Sequence, residues 1–159
     1  MRKAIPALAF IISILSSCTQ VDLYERMVNI KQAKWSSTQI PSFAFQIKDT
    51  INPYNVYVVV RHTNQYAFRN IWVNVSVQQP GDSTRKQAFE LQLASAENWL
   101  GTGMDDVFEH RELLFKRPVR FTKKGEVVFT LQQIMRQDPL PGIMQAGIRV
   151  EPVSATSMQ

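Results

Sequence analysis

Alternation of apolar and polar residues with a period of two runs through most of this chain and leaves few folds open. Phe43, Phe45 and Ile47 alternate with Ala44, Gln46 and Lys48, and Ile71, Val73, Val75 and Val77 alternate with Trp72, Asn74, Ser76 and Gln78. Val127, Phe129 and Leu131 keep the same rule, as do Ile148 and Val150 against Arg149 and Glu151. Successive side chains of an extended chain point to opposite faces, so each run reads as a strand with one buried and one solvated face. YNVYVVVRH, from Tyr54 to His62, is denser in β-branched and aromatic residues and reads as a central strand with Val56, Val58 and Val60 on one face. Pro80-Gly81-Asp82-Ser83 is a turn signal, and it predicts a hairpin whose return strand, Lys86 to Leu93, points Phe89, Leu91 and Leu93 inward. Strands at this spacing, parted by Pro, Gly, Asn and Asp clusters and without a long amphipathic helix, predict an all-β fold. The expectation is one antiparallel β-sandwich of about seven to eight strands.

Two segments fit two readings each. Val21 to Ile30 suits a first strand or a short helix, and DDVFEHRELLF, Asp105 to Phe115, suits an exposed helical turn or an edge strand, with strand preferred. The tail 154–159, SATSMQ, has no apolar pattern and is expected to be disordered.

The N-terminus has a different character. Arg2 and Lys3 precede an uncharged, mostly apolar run from Ala4 to Leu15, the shape of a secretory signal. A helix of that length rises only about 18 Å against roughly 30 Å of bilayer hydrocarbon, too little for a comfortable span. The run ends in Leu15, Ser16, Ser17 and Cys18, which resembles the bacterial lipobox, and Cys18 is the chain's single cysteine. In such signals the thiol is alkylated by a diacylglyceryl group and the preceding peptide bond is then cut. A chance cysteine near an ordinary cleavage site is the competing reading, but an unpaired thiol is unusual in an exported protein. Residues 1–17 are therefore expected to be a signal peptide, 18–34 a lipidated N-terminus with a first segment, and 35–153 the sandwich domain.

Charge and composition narrow the function. The formal charge is +5, and Arg2 and Lys3 supply two of the positive charges, leaving +3 on the processed chain. The remaining basic residues are spread out and the chain is exported, so nucleic acid is not an expected partner. His62 and His110, the only histidines, have no metal-ligand spacing, and no nucleophile elbow, phosphate loop or dinucleotide fingerprint is present. The cluster Asp105, Asp106, Glu109 and His110 offers carboxylate oxygens to a hard cation but is equally a solvated loop. Neither an enzyme, nor a metal, nor a cofactor beyond the lipid on Cys18, nor a small-molecule substrate is expected.

Trp, Tyr and Arg dominate binding hot spots, although a large ring in a sandwich is more often core. The candidates are Trp35, Trp72, Trp99, Tyr54, Tyr57, Tyr66, Arg61, Arg136 and Arg149. Trp72 stands apart because its parity opposes the Ile71, Val73 and Val75 set. In RQDPLPGI, two prolines and a glycine within four positions predict neither helix nor strand and a loop of set shape. That loop suits docking or plain connection. The candidate partner contacts are Trp72, Arg136, Leu140 and Ile143.

The ordered motifs FAFQIKDTINPYNVYVVVRHTNQYAFRNIW, WLGTGMDD, QQIMRQDPLPGI and GIRVE, behind the lipobox, resemble the gliding-motility lipoprotein H family (GldH) of the Bacteroidetes. The positions that carry the likeness are Asp49, Pro53, Tyr54, Asn55, Arg61, Asn70, Trp99, Gly101, Met135, Arg136, Leu140, Pro141, Gly142, Ile143 and Arg149. The resemblance implies a non-enzymatic envelope lipoprotein required for gliding, which assembles or stabilises gliding and type IX secretion components through protein contacts. The family brings no catalytic residues. Thr19 follows the lipobox cysteine in place of an aspartate retention signal, and no acidic run follows it, which points to the periplasmic leaflet of the outer membrane. A lipid-anchored carbohydrate-binding sandwich is the alternative of a different class. It needs two or three exposed rings aligned on one face.

Overall fold

The structure, a computed structural model, describes residues 23–153. The signal segment, Cys18 and the tail 154–159 lie outside the described residues. The strands in chain order are β1 (Tyr24–Asn29), β2 (Lys34–Trp35), β3 (Ser42–Ile47), β4 (Tyr54–Thr63), β5 (Asn70–Gln78), β6 (Arg85–Gln92), β7 (Thr102–Met104), β8 (Val107–Leu113), β9 (Gly125–Gln133), β10 (Leu140–Pro141) and β11 (Ile143–Pro152). The fold is all-β, with one 3-10 turn at Lys31–Ala33 among the described residues.

One sheet has the order β1-β11-β4-β8-β7, a second has β3-β9-β5-β6, and β2 pairs with β10 alone. Every pairing is antiparallel. The two larger sheets face each other as a sandwich. Eleven strands exceed the expected seven to eight because β2, β7 and β10 have only two or three residues, too few to show a period.

The alternation fills the space between the sheets. Phe43, Phe45 and Ile47 of β3, Val56, Val58 and Val60 of β4, Ile71, Val73 and Val75 of β5, and Val127, Phe129 and Leu131 of β9 join Ile148 and Val150 of β11 in one buried cluster. A run of rings crosses it, with Tyr24 and Phe45 centroids 5.4 Å apart, Phe45 and Tyr54 5.7 Å, and Tyr54 and Phe121 5.5 Å. The first two contacts are edge-on, the geometry the ring quadrupole favours.

Each ambiguous segment contains a strand. Val21 to Ile30 contains β1, which hydrogen-bonds to β11 from Tyr24↔Val150 to Asn29↔Gln145, so the sandwich includes residues upstream of the boundary expected at residue 35. In Asp105 to Phe115 a turn leads into β8, which pairs with β4 along its length and with β7 only as far as Glu109. The RQDPLPGI segment departs from the expectation of no strand: Leu140 pairs with Trp35 and Pro141 with Lys34. Proline is tolerated at sheet edges, and β10 has a single neighbour.

The registers also define two ends. Tyr24 of β1 lies at the same end as Tyr54, Leu113 and Pro152 of its own sheet, and as Ile47, Gly125, Gln78 and Arg85 of the facing one. That end is closed by the connections 48–53, 79–84 and 114–124. The segments 30–33, 64–69, 105–106 and 134–139 close the opposite end.

Candidate functional site

β5 keeps its alternation: Ile71, Val73 and Val75 are fully buried, while Trp72 turns outward and exposes 39% of its surface. β9, the neighbour of β5, ends at Gln133, and the chain then passes alongside Trp72. The backbone N–H of Ile134 donates to the Trp72 carbonyl at 3.0 Å, and the Trp72 N–H donates to the Met135 sulfur at 3.3 Å. Phe68, Trp72, Ile134, Met135 and Arg136 thereby line one groove of about 300 Å³. Ile134 is as exposed as Trp72. The Arg136 guanidinium is exposed and makes no hydrogen bond or ion pair among the described residues.

A buried amide shapes this segment. Gln133 continues the inward phase of Val127, Phe129 and Leu131 and is fully buried. Its side-chain oxygen accepts from the Met135 N–H at 2.9 Å, and its Nε2 donates to the Trp35 carbonyl at 3.3 Å and to Asp138 Oδ1 at 3.2 Å. The Asp138 carboxylate also accepts from the Ser37 hydroxyl and from the Ser37 N–H at 2.9 Å. Those Ser37 bonds, the hydroxyl's first, favour the charged form and hold the carboxyl below its ordinary range. An apolar groove with an unpaired cation at its rim is thus carried on a hydrogen-bonded frame.

The structure sorts the predicted contacts. It brings Trp72 and Arg136 together, although they are far apart in sequence. It does not place Leu140 or Ile143 with them: both side chains are fully buried in the core, Leu140 opposite Trp35 and Ile143 opposite His62. Their expected role as partner contacts is corrected, because the β10 and β11 pairings turn them inward. Trp35, Tyr54 and Tyr66 are buried, and Trp99 packs against the core cluster. Tyr57 donates its hydroxyl to Glu151, Arg61 pairs with Glu109, and Arg149 pairs with Glu25 and Glu151. Of the nine aromatic and arginine candidates, Trp72 and Arg136 alone remain available. Gln133 and Asp138 were missed in the sequence. The parity of β9 marks Gln133 as inward-facing, and that signal was there to be read.

The histidines lie nearer than their numbers imply. His62 pairs with Phe108 and Val60 with His110, so the two sit diagonally across β4 and β8. His62 is fully buried against Trp99, with ring centroids 4.6 Å apart, and its Nδ1 lies 3.0 Å from the Thr63 carbonyl. Burial holds its imidazole below the ordinary histidine range. The acidic cluster is dispersed: Glu109 pairs with Arg61 and Arg111, while Asp106 accepts from Asn64. Among the described residues no three His, Cys, Asp or Glu side chains converge as a metal site would require.

Comparison with known proteins agrees with the motif reading. A protein named gliding motility lipoprotein GldH homolog, from Christiangramia forsetii, is 27% identical over 161 residues, spanning 95% of this chain and 98% of its own. Gliding motility lipoprotein GldH of Flavobacterium johnsoniae is 27% identical over 146 residues, 87% of this chain and 89% of its own. Among solved structures, the VP2 subviral particle of infectious bursal disease virus aligns with 94% of this chain at 17% identity and a TM-score of 0.37. This chain spans 37% of that viral protein, and a likeness so distant says nothing about function. The model of the GldH lipoprotein family matches residues 22–150. The chain belongs to the GldH lipoprotein family.

Proposed function

We propose that this protein is a non-enzymatic lipoprotein of the gliding apparatus, attached through a lipid on Cys18 to the periplasmic leaflet of the outer membrane. It holds other gliding or type IX secretion components by protein contacts at the Trp72 and Arg136 groove. The observation that carries the reading is that groove: an exposed tryptophan and an arginine without a partner among the described residues on one surface, beside Ile134 and Met135. These are hot-spot residue types in a partly enclosed, apolar setting. The names of the two relatives supply the gliding context. A sugar-binding module needs aligned exposed rings, and Trp72 is the sole exposed aromatic among the described residues, which favours a protein partner.

Crosslinking in intact cells, followed by recovery of the lipoprotein and mass spectrometry, tests the reading. One or a few envelope proteins should be captured by the wild type and lost together in the groove variants Trp72→Ala and Arg136→Ala. Undiminished capture by both folded variants would move the partner surface elsewhere.

A further inference from the structure

The two ends of the sandwich differ in charge. The connection 114–124, LFKRPVRFTKK, carries Lys116, Arg117, Arg120, Lys123 and Lys124 and no acidic residue, and all five are exposed. Lys48 joins them at the same end from the connection 48–53. Their acidic neighbours at this end are Asp49, near Lys124, Asp82, already paired with Arg85, and Glu126, which accepts from Gln46. At the opposite end the segments 30–33, 64–69, 105–106 and 134–139 carry Lys31, Arg69 and Arg136 against Asp105, Asp106 and Asp138.

The basic residues stand on a fixed frame. Leu114 and Phe121 of the connection are buried, and Val119 exchanges both backbone hydrogen bonds with Tyr54 at 2.8 Å. Lys123 reaches the 79–84 turn, its Nζ 3.3 Å from where a Cβ on Gly81 would stand. Beside them the 48–53 connection holds up an apolar tip. Asp49 Oδ1 accepts from the N–H groups of Ile51 and Asn52 at 2.7 and 3.2 Å, and the Tyr54 hydroxyl donates to the Asp49 carbonyl at 2.8 Å. Ile51, at the summit of this braced turn, is 78% exposed.

The same end receives the chain from the anchor. Six peptide steps separate Cys18 from Tyr24, the first residue of β1, and an extended chain of that length reaches at most about 20 Å. We propose that this end is a membrane-facing surface: the 114–124 basic residues meet the phosphates of anionic lipid headgroups, and Ile51 enters the headgroup layer. A short tether raises the local concentration of this end at the bilayer. Basic side chains are then attracted over the Debye length, about 8 Å at physiological salt, while an apolar tip gains by leaving water. The proposal rests on the Cys18 anchor for its orientation but not for its lipid affinity.

The lipidated protein is reconstituted in phosphatidylcholine vesicles with or without phosphatidylglycerol, and its lysines are acylated and quantified by mass spectrometry. Lys116, Lys123 and Lys124 should be protected several-fold in the anionic vesicles relative to Lys31 and Lys34, and 0.5 M salt should remove the protection. Equal labelling in both vesicles would overturn the proposal, as would equal protection by inorganic phosphate over neutral vesicles. A lipid-free chain from Thr19 onward, which retains every strand, should sediment with anionic vesicles and not with neutral ones. Each basic residue near such a surface strengthens attachment roughly fivefold, so Lys116→Glu, Arg117→Glu and Lys123→Glu combined should weaken it by more than about a hundredfold. If the lipid-free chain ignores anionic vesicles, the surface is refuted even where the anchor holds. If Cys18 carries no lipid, this arm still tests the surface.

Discussion

The backbone N–H of Met135 donates to the side-chain oxygen of Gln133 at 2.9 Å, so a fully buried amide directs the segment that borders Trp72. Gln133→Leu keeps most of the volume but leaves the Met135 N–H without its partner and removes a donor from the Trp35 carbonyl and from Asp138. Orphaning a buried polar group costs about 1 to 3 kcal/mol. The urea midpoint should fall accordingly. Partner recovery per folded molecule should fall too, although neither Trp72 nor Arg136 has changed. Full recovery at reduced stability would mean that the groove forms without the amide.

Leu140 and Ile143 call for the opposite behaviour. Both are fully buried, so Leu140→Ala or Ile143→Ala should lower stability by about 2 to 5 kcal/mol through lost burial and the cavity left behind. Capture of the partner, normalised to folded protein, should be unchanged. Equilibrium denaturation paired with the crosslinking assay separates the two effects.

His62 predicts a pH dependence of stability. Burial depresses its pKa in the folded state, so below the ordinary histidine value of about 6.5 the unfolded chain takes up a proton that the folded chain resists. Stability contributed by the neutral ring is complete above that value and declines as pH falls from about 6.5 toward the lower folded pKa. Urea midpoints at pH 7.5 and 5.5 should differ in that sense. His62→Phe, which keeps a ring against Trp99 and Tyr66, should flatten the profile. An unchanged slope in the variant would assign the dependence to another group.

The strands long enough to show a period were legible: β3, β4, β5 and β9 fall where the alternation puts them, with the predicted residues inward. Trp72 was placed on the outer face by the same parity. Its meeting with Arg136 was not legible, because it depends on β5 pairing with β9, a register between distant segments that no local pattern encodes. The inward turn of Leu140 and Ile143 was hidden for another reason. Pro141 and Gly142 interrupt any alternation, and a register shift follows between Ile143 and Gln145, so neither face could be read from the residues. The basic end was legible in part: Lys116, Arg117, Arg120, Lys123 and Lys124 fall within eleven consecutive residues, and the registers add that Lys48 of the 48–53 connection lies at the same end.

Cys18 makes a covalent prediction. The thiol is the one side chain able to accept the diacylglyceryl group, so Cys18→Ala should abolish metabolic labelling by a fatty-acid probe and leave unprocessed or soluble protein. Equal labelling of the variant and the wild type would exclude Cys18 as the attachment site.

Trp72 and Arg136 should behave as one contact surface. Trp72→Ala removes a ring that is partly exposed, so its stability cost should stay near 1 to 2 kcal/mol, below the roughly 3 to 5 expected of a fully buried ring. Arg136→Ala removes a group with no partner among the described residues and should leave stability within about 0.5 kcal/mol. Partner affinity should fall by about 2 kcal/mol or more in each case, roughly thirtyfold. Because both side chains line one groove, their effects on binding should not add, and a double-mutant cycle should show coupling of about 0.5 kcal/mol or more. Arg136→Lys separates shape from charge: a fork that pairs with a carboxylate is not replaced by a point charge, so lysine should restore little. Full additivity, with lysine restoring wild-type capture, would mean that the two residues touch different partners or none.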